Sequence, residues 1–296
     1  MTKHNLTGTG VAIVTPFHKY GTVDFSAMKN IVEHVILGGV DYIVALGTTG
    51  ESVTLSKDEK NAVVDFVIET VDNRVPIVVG IGGNNTQEII KNITTMPLEG
   101  IEAILSVSPY YNKPQQKGIY FHYKAIAIAS PKPIILYNVP GRTSSNITPE
   151  TTLKLANDFK NIIGIKEASG DLVQCMEIIK NKPKGFLVIS GDDALTLPFL
   201  SIGGDGVISV IANAFPKDFS EMVKLALKSN CKNASEIHYK LIDIISAIFA
   251  DGNPAGIKAA LDIMGLCSNN LRLPLVKVNK SVNLLLHNLI EEYNLN

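Results

Sequence analysis

The chain has 296 residues and a formal net charge of -1, and 46% of its residues are hydrophobic. A chain of this length buries enough surface to fold without disulfides or a structural metal. Its 27 basic residues are scattered, without the stripe that follows a nucleic-acid backbone or an anionic membrane. These values argue against a nucleic-acid or membrane partner and favour a globular protein that acts on small molecules.

Cysteine usage and the N-terminus bear on the cellular compartment. Cys175, Cys231 and Cys267 lie far apart and lack the CxxC spacing of redox or metal sites, so we expect three buried, reduced thiols. The first seven residues are polar, and no segment resembles a signal peptide or a transmembrane span. We therefore expect a cytoplasmic protein. The six histidines form no spaced pair with a carboxylate, so no metal is predicted.

Short apolar runs typical of buried strands recur along the chain, and a helical pattern follows each run. The runs cover residues 10–14, 42–46, 77–80, 103–106, 134–137, 162–165, 186–189 and 206–209. Eight such βα units predict an α/β protein with a (β/α)8 TIM barrel. A doubly wound open sheet is the alternative, but no dinucleotide-binding fingerprint opens a helix after the first run.

Helical periodicity fills the rest of the chain. Ser56 and Glu59 form a capping box that starts the helix after the second strand. The region after the last strand is helical, with breaks at residues 216, 230, 252–254 and 274. We predict a barrel over residues 1–215 that carries the active site, and a C-terminal helical extension over residues 216–296 that packs on it.

One lysine, Lys166, comes from an apolar run that otherwise predicts a buried strand. The active site of a TIM barrel lies at the C-terminal ends of its strands. Burial disfavours the charged ammonium, and the neutral amine can attack a ketone to form a Schiff base. The alternative is a lysine that ends the strand and extends its ammonium into water.

Two further strand ends carry hydroxyl groups and a guanidinium. Thr48 and Thr49 lie in a glycine-bounded turn, where they either bind a carboxylate and relay a proton or simply form a turn. Tyr137 ends the fifth strand and is our candidate general acid and base. Arg142 follows it and matches a carboxylate bidentately, although an exposed salt bridge is the alternative.

The loops after the fourth and seventh strands are less specific. Tyr110 and Tyr111 present two phenols, and one of them is expected to be structural. Asp192 and Asp193 would repel a phosphate unless they point away to cap the next helix, so a phosphorylated substrate is disfavoured. The glycine-rich residues 80–85 lack the lysine of a P-loop and indicate close backbone packing.

Five segments together resemble the dihydrodipicolinate synthase family of pyruvate-dependent class I aldolases. They are residues 47–51 (GTTGE), 109–112 (PYYN), 137–143 (YNVPGRT), 164–167 (GIKE) and 190–193 (SGDD). The resemblance implies that Lys166 forms a Schiff base with pyruvate, and that the enamine attacks L-aspartate 4-semialdehyde to give 4-hydroxy-tetrahydrodipicolinate. This would be the first committed step of diaminopimelate and lysine biosynthesis, and it would need no cofactor.

The same resemblance implies roles for individual residues. Tyr137, Thr48 and Tyr111 correspond to a proton relay in which Tyr111 reaches into the site of a neighbouring subunit. Thr49 and the backbone at Gly191 and Ile208 correspond to positions that hold pyruvate. Arg142 corresponds to the residue that binds the semialdehyde carboxylate. A homo-oligomer, a tetramer or a dimer, is therefore expected.

A lysine effector site is the last feature that the resemblance implies. Ser52, Asn84, Glu88 and Tyr110 match it, but Lys57 and Lys60 stand where inhibited members of the family carry a histidine or an aromatic residue. Cationic side chains repel a lysine effector. We predict weak or absent feedback inhibition.

Two other functions remain open at this point. An aldolase that cleaves a 2-oxo-3-deoxy sugar acid would share the lysine but leave Arg142 idle. Sialic-acid lyases also share the lysine, but they typically carry a serine at the position of Thr48 and lack the arrangement of residues 138–143 (NVPGRT), so the synthase is preferred to the lyase. A non-catalytic sensor would bind a keto acid in the same barrel without forming a covalent adduct.

Overall fold

The structure, a computed structural model, describes residues 6–295. Residues 1–5 lie outside the described residues. They include His4 and most of the polar N-terminal segment, on which the predicted absence of a metal and of a signal peptide partly depends. Eight parallel strands form a closed barrel in chain order, which confirms the predicted TIM barrel. The strands are β1 (Gly8–Ala12), β2 (Tyr42–Ala45), β3 (Ile77–Gly80), β4 (Ala103–Val107), β5 (Ile134–Asn138), β6 (Ile162–Glu167), β7 (Leu187–Ser190) and β8 (Gly206–Ser209).

Helices surround this barrel and continue beyond it. They are α1 (Phe25–Leu37), α2 (Lys57–Val71), α3 (Thr86–Thr95), α4 (Gln116–Ala129), α5 (Pro140–Thr143), α6 (Pro149–Asp158), α7 (Leu172–Asn181), α8 (Thr196–Ser201), α9 (Pro216–Leu227), α10 (Cys231–Ala250), α11 (Ala255–Ile263) and α12 (Lys280–Leu295). The capping box is confirmed at the start of α2, where Ser56 and Glu59 exchange hydrogen bonds.

The side chains of each strand alternate between two separate cores, as the pleat requires. Tyr42 and Val44 of β2 point into the barrel, whereas Ile43 between them packs against the helices. Tyr137 and Ile208 belong to the inner core. The inner core closes the barrel below its C-terminal mouth, so any ligand must bind at the mouth.

β6 departs from this alternation at one residue. Ile134 pairs with Ile162 but Ile135 pairs with Gly164, so Ile163 is an extra residue in β6. Ile163 packs in the inner core, whereas Ile165 packs in the outer core although it is two residues away. The bulge therefore shifts the phase of the strand by one residue, and Lys166 comes to face the barrel mouth.

The helical breaks predicted after the last strand are confirmed: α9, α10 and α11 begin at or directly after the first three, and residue 274 lies in the non-helical segment between α11 and α12. α9 packs against α8 and α1 and against β1 and β8, and so completes the outer ring of the barrel. α10, α11 and α12 pack on one another. We therefore propose that the barrel runs through Leu227 and that the extension begins with α10.

The prediction of three buried thiols is wrong for Cys231. Cys175 and Cys267 are buried, but Cys231 is the first residue of α10 and is exposed. The turn before α10 runs over the surface, with residues 227–233 all exposed, so this position has no core to enter. Within residues 6–295, no helix has the length and apolarity to cross a bilayer.

Candidate active site

Lys166 and Tyr137 face each other at the barrel mouth. They are register partners in β6 and β5, and the Nζ atom of Lys166 lies 4.4 Å from the centroid of the Tyr137 ring. Lys166 is only 6% exposed, and its amine has no hydrogen-bond or salt-bridge partner among residues 6–295. A buried amine without a carboxylate partner is free to act as a nucleophile.

The side chain of Lys166 passes over Gly191, at the end of β7. A Cβ atom at Gly191 would lie 3.0 Å from the Cε atom of Lys166 and 2.6 Å from the Cβ atom of Ala168. The backbone N–H of Gly191 donates to the carbonyl of Glu167 at 2.8 Å. Gly191 therefore leaves the space that the lysine stem occupies, whereas Ile208 lies buried in the inner core.

A cavity of about 570 Å³ opens in front of Tyr137 and continues between α2 and α3. Among the predicted catalytic and substrate-binding residues, Thr48, Tyr137 and Arg142 line it. The four residues of the predicted effector site also line it, and so do the two lysines of α2: Ser52, Asn84, Glu88, Tyr110, Lys57 and Lys60. Thr48, Tyr137 and Arg142 therefore share one continuous cavity with the effector candidates, whereas Lys166 and Tyr111 are not among its lining residues.

Tyr111 is not brought to Lys166 within a single chain. Its side chain is 88% exposed, and its backbone adopts a φ of +77°, in the left-handed region that non-glycine residues seldom occupy. Tyr110, its neighbour, lines the cavity instead. The prediction that Tyr111 enters the site of another subunit stays a prediction.

Asn253 of the C-terminal extension reaches two of the predicted substrate-binding residues. Its side-chain amide donates to the hydroxyl of Thr49 at 2.9 Å, and its backbone carbonyl accepts from Arg142 at 3.3 Å. Arg142 forms no ion pair with any described residue, so the exposed salt bridge considered for it is absent there. Sequence reasoning missed Asn253, because residues 252–254 indicated only a helix break.

A buried ion pair also joins the motif of residues 47–51 to the extension. Glu51, the last residue of that motif, pairs with Lys258 of α11, and both side chains are fully buried. The backbone N–H of Arg272 donates to Glu51 at 3.1 Å, and the guanidinium of Arg272 forms an ion pair with Glu59 at 2.5 Å. No local sequence signal joins these partners, because they are about 200 positions apart.

Glu167, next to the lysine, faces away from the mouth and holds β5 and β6 together. It accepts hydrogen bonds from Asn138 at 3.0 Å, from Gln174 at 2.8 Å and from the backbone of Ser169 at 2.8 Å. Burial raises the pKa of Glu167 above its ordinary value, and these donors oppose that shift. This network fixes the register in which Tyr137 meets Lys166.

The paired aspartates after β7 bind backbone groups. Asp192 accepts from the backbone of Leu195 at 3.1 Å. Asp193 accepts from Val210 at 3.0 Å and from Ile211 at 2.9 Å. Burial raises the pKa of Asp193 to about 6. Both carboxylates therefore accept hydrogen bonds from backbone N–H groups. The predicted exclusion of phosphorylated substrates stays a prediction.

The glycines after β3 pack closely, as predicted. A Cβ atom at Gly80 would lie 2.3 Å from the carbonyl oxygen of Leu46, and one at Gly82 would lie 2.8 Å from the backbone nitrogen of Val107. Among residues 6–295, no group of three or more His, Cys, Asp or Glu side chains is placed to hold a metal ion.

Comparison with known proteins identifies the family. Residues 5–293 match the model of the dihydrodipicolinate synthetase family. The chain belongs to this family. It is 56% identical over 275 residues to the 4-hydroxy-tetrahydrodipicolinate synthase of Flavobacterium psychrophilum, covering 93% of this chain and 94% of that protein.

Solved structures of family members have the same fold. The dihydrodipicolinate synthase of Thermotoga maritima matches with a TM-score of 0.96 and 40% identity, over 99% of this chain and 100% of that one. The chloride-inhibited dihydrodipicolinate synthase of Acinetobacter baumannii, solved in complex with pyruvate, matches with a TM-score of 0.95 and 40% identity. That match covers 98% of this chain and 100% of the other.

Proposed function

We propose that this chain condenses pyruvate with L-aspartate 4-semialdehyde to give 4-hydroxy-tetrahydrodipicolinate, in lysine and diaminopimelate biosynthesis. It is a lyase of the class I aldolase type. The observation that carries the proposal is the buried, unpaired amine of Lys166 facing Tyr137 across the barrel mouth. The names of its relatives and the pyruvate in a related structure support the choice of substrates.

Lys166 is the nucleophile. Its Nζ atom attacks the carbonyl carbon of pyruvate, and loss of water leaves an imine. Loss of a methyl proton converts the imine to an enamine, which attacks the aldehyde carbon of the second substrate. The amine of the product then attacks the imine carbon, closes the ring and releases Lys166. No cofactor takes part.

Tyr137, Thr48 and Tyr111 move the protons in these steps. Tyr137 and Thr48 line one cavity, whereas Tyr111 projects from the surface of its own chain. We assign Tyr111 to the site of a neighbouring subunit, so the active protein is a homo-oligomer, a tetramer or a dimer. An isolated chain would lack one member of the relay.

The carboxylates of the two substrates bind at different places. Thr49 and the backbone at Gly191 and Ile208 hold pyruvate beside Lys166. Arg142 binds the carboxylate of the semialdehyde, and the absence of an ion pair between Arg142 and the described residues supports this role. Arg142 lines the cavity, and its guanidinium is a planar fork that matches a carboxylate.

Borohydride reduction in the presence of pyruvate tests the proposal. Peptide mass mapping should find the reduced adduct on Lys166, and the Lys166→Arg variant should form no adduct and lose turnover. A non-catalytic sensor would show no adduct in the unmodified chain. The Arg142→Ala variant should lose the semialdehyde reaction while still forming the pyruvate adduct, and equal losses in both would contradict its role.

We assign two further properties to this function. The site of Ser52, Asn84, Glu88 and Tyr110 binds the end product L-lysine weakly or not at all, because Lys57 and Lys60 line the same cavity. We place the reaction in the cytoplasm, and three cysteines free of disulfides support that location.

A further inference from the structure

The C-terminal extension binds the turn that carries Thr48 and Thr49, the two threonines of the proposed mechanism. This turn, residues 47–51, follows β2. Asn253 precedes α11 and binds the Thr49 hydroxyl at 2.9 Å, and Lys258 within α11 pairs with Glu51. One end of α11 therefore holds the turn on both sides of its second glycine.

The ion pair between Glu51 and Lys258 is fully enclosed. Both side chains are 0% exposed. The Nζ atom of Lys258 also donates to the carbonyl of Asn270 at 2.9 Å, and it lies 4.2 Å from the ring centroid of Phe17. The second carboxylate oxygen of Glu51 accepts from the backbone of Arg272 at 3.1 Å. Desolvation offsets much of the Coulomb attraction in such a pair, so stability alone does not explain its presence.

The backbone of Glu51 transmits this anchor to Thr48. Glu51 has a φ of +51°, in the left-handed region that costs free energy for a residue with a side chain. Its N–H donates to the carbonyl of Thr48 at 3.1 Å, and its carbonyl accepts from the backbone of Thr54 at 3.0 Å. A carboxylate fixed at its far end holds this backbone in a conformation that it would otherwise leave.

We propose that Lys258 is a positioning residue, which acts through Glu51 to hold Thr48 and Thr49 beside the pyruvate bound at Lys166. The proposal rests on the proposed function, because that function assigns the two threonines to the relay and to pyruvate. Lys258 itself touches no substrate. Its effect is to keep two hydroxyl groups in place, and small displacements of such groups lower rates strongly.

The first test is the double variant Glu51→Gln/Lys258→Met. It removes both charges and keeps a side-chain oxygen for the N–H of Arg272, and replacing both partners of a buried ion pair is often neutral for stability. We expect an unchanged unfolding midpoint, a KM for pyruvate roughly 10-fold higher and a kcat roughly 10- to 100-fold lower. The KM for the semialdehyde, which Arg142 binds, should stay the same.

A merely structural role predicts a different result. It would lower the active fraction, so kcat would fall while both KM values stayed unchanged, and that outcome would overturn the proposal. The variant Glu51→Gln/Lys258→Leu removes the same two charges and serves if the first double variant does not fold. It should likewise raise the KM for pyruvate, and an unchanged KM there would reject a positioning role.

A double-mutant cycle tests whether Lys258 acts through the turn. Thr49→Val should raise the KM for pyruvate by itself, and adding it to the Glu51→Gln/Lys258→Met variant should raise that KM little further. Effects that multiply in full would overturn the proposal, because they would mean that the two sites act independently.

Two controls separate the possible failures. Lys224 is another lysine after β8, and it donates to the carbonyl of Gly39 at 3.1 Å; the Lys224→Met variant should leave both KM values unchanged. The borohydride adduct on Lys166 in the unmodified chain tests the proposed function. If the unmodified chain forms the adduct but the variants at Glu51 and Lys258 keep an unchanged KM for pyruvate, the role of Lys258 is rejected and the proposed function stands.

Discussion

The ring of Tyr137 lies 4.4 Å from the amine of Lys166, and the two residues are directly paired across β5 and β6. Strand pairing, rather than a flexible loop, therefore sets the distance between the proposed nucleophile and the proposed general acid and base. Sites built on strands hold their groups more closely than sites built on loops. Substitutions that remove a single functional group should therefore separate the role of Lys166 from that of Tyr137.

The Tyr137→Phe variant should separate proton transfer from adduct formation. It keeps the ring against Lys166 and removes only the hydroxyl group. We expect pyruvate adducts to remain trappable while kcat falls roughly 100- to 10,000-fold, the usual contribution of a positioned acid or base. Steady-state kinetics and borohydride trapping measure the two effects. Full turnover without this hydroxyl group would reject its role.

The Gly191→Ala variant should displace Lys166, the proposed nucleophile. The added methyl group would lie 3.0 Å from the Cε atom of Lys166 and closer still to Ala168, so the amine must move. We expect adduct formation with pyruvate to slow roughly 10-fold or more. Gly141→Ala is the matched control, since a Cβ atom there would have no neighbour within 4 Å. Equal rates in both variants would contradict this packing argument.

Two buried groups should give opposite pH dependences of stability. Burial lowers the pKa of His122 to about 4, from an ordinary value of 6.5. The unfolded state then binds more protons between those values, so this contribution to stability is present above pH 6.5 and is lost as the pH falls towards 4. The contribution of Asp193 to stability has the opposite pH dependence. Its pKa is raised from 3.8 to about 6, so its contribution is present below pH 3.8 and is lost as the pH rises through 6.

Single substitutions should expose these opposed slopes. In Asp193→Asn, which keeps an acceptor oxygen, the free energy of unfolding should fall more steeply on acidification from pH 6 to pH 4.5 than in the unmodified chain. In His122→Gln it should fall less steeply. Each change should reach at most about 2 kcal/mol over this range, the value of one proton across 1.5 pH units. Urea unfolding at several pH values measures both slopes, and parallel curves for all three proteins would refute this account.

L-Lysine should inhibit this enzyme weakly. Lys57 and Lys60 line the cavity beside Glu88, and their charges repel a cationic effector. Removing both, in Lys57→Ala/Lys60→Ala, should lower the concentration of L-lysine needed for half inhibition. Lys91→Ala removes a charge from an exposed position of α3 and should have no such effect. Loss of turnover of the unmodified enzyme at submillimolar L-lysine would contradict this prediction.

Local patterns predicted the barrel and the side chains that end its strands. Short apolar runs, each followed by a helical pattern, located all eight strands, and the strand-end rule brought Lys166, Tyr137 and Thr48 forward as candidates. The contacts of Asn253 and Lys258 could not be predicted in this way, because their partners lie about 200 positions earlier in the chain. The contacts of Tyr111 can be derived neither from local patterns nor from the structure of a single chain, because its proposed partner belongs to another chain.

The additional residue in β6 has an evolutionary corollary. Removing Ile163 would restore an unbroken ladder in which Lys166 still pairs with Tyr137, so the loss of this residue alone should spare the position of the lysine. A strand of the same length without the bulge would instead turn Lys166 outwards, into the layer where Ile165 packs against the helices. A search for inactive descendants of this enzyme should therefore examine the register of this strand as well as look for its lysine.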